Sequence, residues 1–431
     1  MRIHLSKDSV LTKIRSVQSN KTFSNGILFS FFSFINRGFI FLLLLILANY
    51  IAPKEYGYLS LFSTVVMVIS YIICLSSEGY MSVSYFQEGK ENIKYTFSTI
   101  LFLGICSSIV LLLVITLGGE WLANVLSLPQ YMLYIAVFIC FATAMSNVNL
   151  DFFRLKEQVK KYGLFSCGNA FLNFVVSILL VKFCLLSWQG RVYAQLGCAL
   201  LFGGYALFFF HKHKCYTSEF KNKILPILAW SLPIIPHHAT NFLRQGMDRY
   251  IINYNHSLDD VGLFSFALNI ANIITMIGFG FNQSNSVDIY KTLGDKDLSV
   301  AEKKKSLNKQ KHLILTIYAV CSLLIVVSCY FLIPILLPKY EQSMNYFLIL
   351  SIYGFFVCFY LLYTNYLFYF KKTKLIMYAS VGSSVLHLLL SLTLTKYSLY
   401  YTCLIYCISQ GCFALIICYY ANKSLKTYLV E

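Results

Sequence analysis

The stretch YTFSTILFLGICSSIVLLLVITL, residues 95–117, decides the fold class of this chain. It contains 23 residues and no charged side chain. As an α-helix, with a rise of about 1.5 Å per residue, it would be roughly 34 Å long, and the hydrocarbon core of a bilayer is about 30 Å thick. The stretch is therefore predicted to cross a membrane as one helix.

Similar apolar runs recur along all 431 residues, of which 58% are hydrophobic and only 12% are charged. The mean hydropathy of +0.66 lies outside the usual range of soluble domains. Helices are predicted near residues 27–48, 58–77, 95–117, 131–150, 163–186 and 192–210, and again near residues 229–253, 261–283, 312–336, 344–370, 375–395 and 399–421. The sequence thus predicts an all-α integral membrane protein with about 12 transmembrane helices in two pseudo-symmetric six-helix bundles.

The formal net charge of +17 comes from Lys and Arg residues that lie mainly between the apolar runs. A nucleic-acid-binding protein would instead gather these residues on one folded face. Loops that carry positive charge are retained on the cytoplasmic side of a membrane. With the N-terminal tail inside, 27 of the 35 Lys and Arg residues fall on that side, so both termini are predicted to be cytoplasmic.

These assignments divide the chain into five segments. Residues 1–25 are predicted to form a cytoplasmic tail, and residues 26–210 the first six-helix bundle. Residues 211–228 form a basic cytoplasmic linker, residues 229–421 the second bundle, and residues 422–431 a cytoplasmic C-terminal tail. A cleavable signal peptide is not expected at the N-terminus. The polar segment before the first apolar run is too long for one, and no small-residue cleavage site follows that run.

The two predicted bundles resemble each other in sequence. KEYGYLSLF follows the first predicted helix and DDVGLFSFA follows the seventh, which aligns Gly57 with Gly262 and Ser60 with Ser265. Both helices would start in the cytoplasm, so the repeat is parallel. Repeated halves are typical of secondary transporters, whose substrate site lies between the repeats. The other interpretation is chance similarity between apolar segments.

Residues 225–274, LPILAWSLPIIPHHATNFLRQGMDRYIINYNHSLDDVGLFSFALNIANII, resemble a known family. The PxxP sequence, the DR pair and the acidic-x-G turn come in the order found in Wzx-type polysaccharide (O-antigen) repeat-unit flippases, a branch of the multidrug/oligosaccharidyl-lipid/polysaccharide (MOP) exporter superfamily. APKEYGYLSLF, FFRLKEQVKKYG and NYLFYFKKTK are similar to the same family, so the resemblance covers nearly the whole chain.

The resemblance implies a MATE-like fold, alternating access, and a location in the bacterial cytoplasmic (inner) membrane. It also implies movement of a polyprenyl-diphosphate-linked glycan, an O-antigen or capsule precursor, to the outer leaflet. The partners would be that glycan, membrane lipid, a coupling ion (proton or sodium) and the glycan polymerase and chain-length machinery.

Three arginines within predicted helices are candidates for contact with the anionic diphosphate. Arg37, Arg244 and Arg249 would be costly against lipid and should face a polar interior. Asp248 lies four residues after Arg244, on the same helical face, and is expected to pair with it or to couple ion flow. A purely structural interpretation stays open: an interhelical ion network for Arg37, and Arg249 extended toward the outer interface.

Pro233 and Pro236 should kink or interrupt the seventh helix. They form either a gate or simply the start of the helix after the linker. The adjacent His237 and His238 point to different faces, and no Cys or His cluster has the spacing of metal ligands. The sequence therefore predicts no metal site, no cofactor and no catalytic residue.

Two other classes of function compete with the flippase. A cation-coupled multidrug exporter would share the superfamily. A membrane glycan polymerase or glycosyltransferase would use the same lipid-linked substrates, but it would need a long outer loop or a soluble domain, and the sequence offers neither. No GxxxxGK[ST] phosphate-binding loop occurs, which argues against an ATP-driven pump.

Overall fold

The computed structural model describes residues 28, 31–32, 34–36 and 38–430. The predicted N-terminal tail and Arg37 lie outside the described residues. Ten helices of the described part are long and apolar enough to cross a membrane, by length and composition. A shorter apolar helix, Phe34–Tyr50, precedes them, and three short helical segments between residues 221 and 255 occupy the place of the predicted seventh helix. The all-α membrane fold predicted from hydropathy is confirmed.

The helices are numbered in chain order, with the three short segments treated as parts of one broken helix. The bounds are α1 Phe34–Tyr50, α2 Pro53–Glu88, α3 Ile93–Leu126, α4 Gln130–Leu155, α5 Val159–Phe183, α6 Ser187–Lys212, α7a Lys221–Ser231, α7b Ile234–Gln245, α7c Met247–Asn255, α8 Leu258–Gly294, α9 Val300–Leu336, α10 Ser343–Tyr369, α11 Thr373–Leu394 and α12 Leu399–Val430.

Several helices are longer than predicted, because hydropathy marks only the lipid-buried part of a helix. Helix α9 starts at Val300, where Ser299 and Glu302 form a capping box, whereas the apolar run began near residue 312. Helix α12 continues to Val430, through residues expected to form a tail. The polar ends of these helices can extend beyond the hydrocarbon region, because water solvates their side chains and their terminal backbone groups.

The chain divides into two compact units. One comprises the chain up to Tyr50 together with Val68–Ile235, and the other comprises Ile51–Met67 and Pro236–Glu431. Helices α2 and α7 therefore contribute residues to both units.

The first unit is held together by aromatic side chains and by small residues where helices approach closely. Phe97 of α3 stacks on Phe210 of α6, with ring centroids 3.9 Å apart. A Cβ atom on Gly203 of α6 would lie 2.6 Å from the carbonyl oxygen of Ala142 in α4. Only glycine permits this approach, which is a common form of packing between membrane helices.

In the second unit, residues that the sequence repeat aligns meet each other. A Cβ atom on Gly262 of α8 would lie 3.1 Å from the backbone nitrogen of Gly57 in α2 and 1.8 Å from the carbonyl oxygen of Pro53. One turn further along, the hydroxyls of Ser60 and Ser265 form a hydrogen bond of 2.7 Å. The two glycines let the helix backbones touch, and this contact brings the two serines within bonding distance.

Helix α9 exposes most of its apolar side chains. Leu323 is 63% exposed, Phe331 64% and Ile335 75%. In water such a surface would be an aggregation hazard, whereas in a bilayer it is solvated by lipid. The exposed face of this helix thus fits the membrane location.

Candidate functional site

Helix α7 is broken at two places. Helix α7a ends at Ser231, Leu232 and Pro233 form a turn, and α7b begins at Ile234. The interruption expected at Pro233 is therefore present. Pro236 lies in the first turn of α7b, where its missing N–H removes no intrahelical hydrogen bond. The second break, at Gly246, separates α7b from α7c and was not predicted.

The second break determines where Asp248 points. Asp248 lies in the first turn of α7c and is fully buried. Its Oδ2 atom lies 2.7 Å from Nε2 of His387 in α11, and the hydroxyl of Ser391 donates to its Oδ1. A carboxylate at a helix N-terminus is also favoured by the helix dipole.

The expected pairing of Arg244 with Asp248 is wrong. The four-residue spacing implies a shared face only in a continuous helix, and the backbone turns at Gly246 between the two residues. Asp248 instead pairs with His387, 139 residues away in the chain. Both side chains of this pair are 1% exposed.

His387 connects Asp248 to the last helix. Its Nδ1 lies 2.9 Å from the hydroxyl of Ser409 in α12, and its ring packs edge-on against Tyr406 at a centroid distance of 4.9 Å. The sequence analysis missed this group. A signal was available in α11, where buried Ser384, His387 and Ser391 recur at spacings of three and four residues and mark one polar face.

Arg249, the residue after Asp248, points elsewhere. Its Nε donates to the hydroxyl of Ser60 at 2.5 Å, and its Nη1 donates to the carbonyl oxygen of Gln245. Neither acceptor carries a formal charge. Within the described part of the chain no carboxylate forms an ion pair with Arg249, so its positive charge is solvated by neutral dipoles.

Arg244 lines a cavity of about 680 Å³ within the second unit. Its guanidinium carbon lies 5.5 Å from the ring centroid of Phe413, and its buried Nε has no hydrogen-bond partner among the described residues. The wall also carries uncharged polar side chains from four helices, including Asn241, Gln245, Asn272, Thr275, Ser380 and Gln410. His387, Tyr406 and Ser409 border the same cavity, so the buried acid–base group adjoins it.

A smaller cavity of about 230 Å³ lies beside Arg249 in the same unit. Gln245, Asn272 and Tyr353 line both cavities. The two arginines thus border neighbouring cavities whose walls combine polar and apolar side chains. A positive charge with unused donors in such a cavity can bind an anion by charge-assisted hydrogen bonds.

Of the other predicted site residues, Arg37 lies outside the described residues. Its neighbour Asn36 donates from its side-chain amide to the hydroxyl of Ser166 in α5. Among the described residues no three His, Cys, Asp or Glu side chains are grouped as metal ligands.

Two family profiles match this chain. The profile of the family described as polysaccharide biosynthesis protein matches residues 23–287, and the MatE profile matches residues 233–393. Lsg locus putative protein 1 of Haemophilus influenzae is 24% identical over 389 residues, which cover 87% of this chain and 92% of that protein. An uncharacterized membrane protein of the same organism is 24% identical over 354 residues, 81% of this chain and 84% of that protein.

Two solved structures share the fold. One is the inward-facing conformation of a multidrug resistance MATE family transporter of the MOP superfamily, with a TM-score of 0.71 and 11% identity over 89% of this chain and 94% of that chain. The other is the inward closed conformation of the lipid II flippase MurJ, with a TM-score of 0.71 and 14% identity over 94% and 90% of the two chains. The resemblance seen in the sequence is confirmed: the chain belongs to the polysaccharide biosynthesis protein family, and it is a multi-pass membrane protein with the fold of MOP-superfamily transporters.

Proposed function

We propose that this transporter is a flippase for a polyprenyl-diphosphate-linked oligosaccharide repeat unit, the precursor of an O-antigen or capsule. The cargo would move from the cytoplasmic to the outer leaflet of the bacterial inner membrane by alternating access. The Lys and Arg bias of the loops supports cytoplasmic termini.

The observation that carries this proposal is the cavity around Arg244. A diphosphate must leave water to cross the bilayer, and it needs positive charge and hydrogen-bond donors on the way. Arg244 supplies both, because its Nε is buried without a partner among the described residues and its charge is not neutralised by a carboxylate. Asp248, the nearest acid in the sequence, is held by His387 and Ser391 instead.

The rest of the cavity wall suits a glycan. Its volume lies within the range of about 300 to 1,000 Å³ typical of ligand sites. Amide and hydroxyl side chains such as Asn241, Asn272 and Thr275 can exchange hydrogen bonds with sugar hydroxyls, and the rings of Tyr353 and Tyr360 offer apolar faces for sugar rings.

Within this proposal Arg37 and Arg249 provide further positive charge for the diphosphate. Arg249 lines the smaller cavity, and its present acceptors are uncharged, so a phosphate could replace them. The break at Pro233 would serve as a gate in helix α7. A glycan polymerase and its chain-length machinery would receive the flipped repeat unit.

A multidrug exporter is the second candidate, because the MatE profile covers residues 233–393, which include much of the cavity wall. The charge of the cavity wall distinguishes the flippase from the exporter. A site for cationic drugs would need acidic side chains. This wall instead carries Arg244, whose Nε has no hydrogen-bond partner among the described residues, and a positive charge suits an anionic cargo. A drug-resistance phenotype would favour the exporter, and a defect in surface glycan would favour the flippase.

The deciding experiment uses a strain that lacks this gene and carries plasmids for the wild type, Arg244→Ala or Arg154→Gln. Arg154 is the matched control, because its side chain is 54% exposed and it pairs with the nearby Asp151. We expect the deletion strain and the Arg244→Ala strain to accumulate the lipid-linked repeat unit on the inner leaflet and to lose surface glycan. The Arg154→Gln strain should match the wild type.

Normal surface glycan in the deletion strain would refute the flippase assignment. Normal glycan with Arg244→Ala, at wild-type protein level in the membrane, would remove Arg244 from the substrate site. Charge reversal at Arg37 or Arg249 should also abolish surface glycan while membrane insertion is retained.

A further inference from the structure

The hydroxyl of Ser409 has two close acceptors, besides the carbonyl oxygen of Tyr406 at 3.4 Å. Its oxygen lies 2.7 Å from the carbonyl oxygen of Ile405 and 2.9 Å from Nδ1 of His387. A serine hydroxyl has one hydrogen to donate, so it can serve only one of them at a time. The choice it makes fixes the protonation state of His387.

In the first arrangement Ser409 donates to the carbonyl of Ile405, and its oxygen accepts a hydrogen from Nδ1 of His387. The short contact from Nε2 to Asp248 then also requires a hydrogen, since a lone pair facing a carboxylate at 2.7 Å would be repulsive. His387 and Asp248 together are then neutral, either as imidazolium and carboxylate or as imidazole and carboxylic acid.

In the second arrangement the hydroxyl of Ser409 turns and donates to Nδ1. His387 is then a neutral imidazole with its hydrogen on Nε2, bonded to the carboxylate of Asp248, and the group carries a net charge of −1. Passing from the second arrangement to the first needs one proton, which binds at Nδ1, and one rotation of a hydroxyl. The hydrogen bond from Ser409 to Nδ1 is replaced by one from Nδ1–H to Ser409, and the contact between Nε2 and Asp248 is kept.

We propose that Asp248, His387 and Ser409 form a proton-binding site whose occupancy is linked to binding of the anionic cargo head in the adjoining cavity. The linkage rests on the proposed function. His387 and Ser409 border the cavity that Arg244 lines, so a proton can reach Nδ1 from that side. Ionisable groups held inside membrane-spanning helices are expensive, and they commonly mark proton or ion pathways.

The neighbouring groups that carry or can carry charge are few. Arg249 follows Asp248 in the chain, and Arg244 lies across the break at Gly246. From helix α12 the buried Cys403 and the ring of Tyr406 face the pair, and Tyr353 of α10 packs against Tyr406 with ring centroids 5.2 Å apart. Among these described neighbours, the two arginines are the groups that add charge to the proton site at neutral pH.

The sign of the linkage follows from these charges. With the proton absent, the site carries −1 and offsets the attraction of Arg244 for an anion. With the proton bound, the site is neutral and the full charge of Arg244 is available. Cargo binding therefore favours proton uptake, and the affinity for an anionic head should fall as the pH rises, by at most about tenfold per pH unit for one linked proton.

Nitrogen-15 NMR of the purified full-length protein, with labelled histidine, tests the proton site without any cargo. The His387 signals are assigned by their loss in His387→Gln. We expect Nε2 to stay protonated throughout, while Nδ1 changes from unprotonated to protonated as the pH falls. An Nδ1 signal that keeps one state over the whole pH range in which the protein stays folded would overturn the proposal.

Two variants fix the charge of the site and test the linkage. His387→Gln can keep both hydrogen bonds but holds the site at −1, whereas Asp248→Asn leaves it neutral with an uncharged imidazole. Binding of farnesyl diphosphate, a soluble polyprenyl diphosphate, is measured over a range of pH. The probe's own titration cancels when each variant is compared with the wild type at the same pH.

We expect wild type to match Asp248→Asn at low pH and to approach His387→Gln at high pH. His312→Gln, which changes an exposed histidine of α9, should follow the wild type at every pH. A His387→Gln variant with the wild-type pH dependence would refute the linkage. Absence of probe binding by the wild type would refute the linkage together with the proposed function, while the NMR result still decides the proton site.

Discussion

Two acid–base pairs in the two units show how burial changes the role of the same chemistry. Lys223 and Glu88 of the first unit are 3.1 Å apart, with side chains 25% and 22% exposed. His387 and Asp248 of the second unit are 2.7 Å apart and 1% exposed. The first pair can exchange its partner for water, whereas neither member of the second can.

The interiors around these pairs differ in the same way. In the first unit the carboxylate of Glu88 also accepts hydrogen bonds from the hydroxyls of Tyr80 and Ser84, and this group remains partly exposed. In the second unit, polar side chains of α7c, α11 and α12 form a hydrogen-bonded group beside a cavity. A buried, hydrogen-bonded acid–base group beside a cavity is costly within a membrane, which makes the second unit the candidate location of the proposed transport chemistry.

The largest effect is expected from removal of the buried acid. Asp248→Ala leaves His387 and Ser391 without their shared acceptor, and breaking a buried pair in this way costs about 3 to 5 kcal/mol of unfolding free energy. The loss is measured as a lower midpoint of thermal unfolding in detergent, together with loss of surface glycan in cells.

A double-mutant cycle with His387→Ala checks the cause of this loss. If the two residues act as a pair, Asp248→Ala combined with His387→Ala should lose clearly less stability than the two single losses added together. Additive losses would mean that the pair contributes no coupling and that the comparison between the two units is mistaken.

Close helix contacts should rank next. In α6 of the first unit, Gly203→Ala would place a Cβ atom 2.6 Å from the carbonyl oxygen of Ala142, whereas Gly204 has no atom within 4 Å of that position. We expect Gly203→Ala to destabilise by about 1 to 3 kcal/mol. Gly204→Ala is the control and should stay within about 0.5 kcal/mol of the wild type.

The same experiment applies to α8 of the second unit, with Gly262→Ala as the test and Gly280→Ala as the control, because a Cβ atom on Gly280 meets nothing within 4 Å. Equal unfolding midpoints for each test variant and its control would show that the helices separate easily and that these glycines do not set the packing.

A smaller effect is expected at the serine where the two aligned repeats meet. Ser60→Ala removes its hydrogen bond with Ser265 and one acceptor of Arg249. The lost bond to Ser265 contributes about 1 kcal/mol. The lost bond to Arg249 is largely replaced by water, because Arg249 borders a cavity that water can enter, so the expected net loss is about 1 to 1.5 kcal/mol. The readout is again the unfolding midpoint, and a Ser63→Ala variant is the control on the same helix.

The smallest effect is expected at the exposed pair. Lys223→Gln should cost no more than about 1 kcal/mol, and less at high salt, because exposed ion pairs are screened and their members are hydrated when separated. Unfolding midpoints at low and high salt measure it. A loss as large as that of Asp248→Ala would overturn the view that burial separates the two pairs.

The helices themselves were readable from the sequence. An unbroken apolar run such as residues 95–117 has one solution in lipid, a helix that satisfies its own backbone hydrogen bonds. The aligned glycines and serines of the repeat were also visible, and they meet in the structure. The predicted helix ends were less accurate, since capping groups such as Ser299 and Glu302 act beyond the hydrophobic part.

The composition and order of residues thus determined the membrane location, the helical fold and the presence of arginines that cannot face lipid. The choice of partner was decided only by the tertiary structure. Arg244 was the nearest candidate for Asp248 along the helix, but a turn at Gly246 directs the carboxylate toward His387 in a distant helix. Periodicity describes one helix at a time, and contacts between helices depend on breaks and packing that no single segment contains.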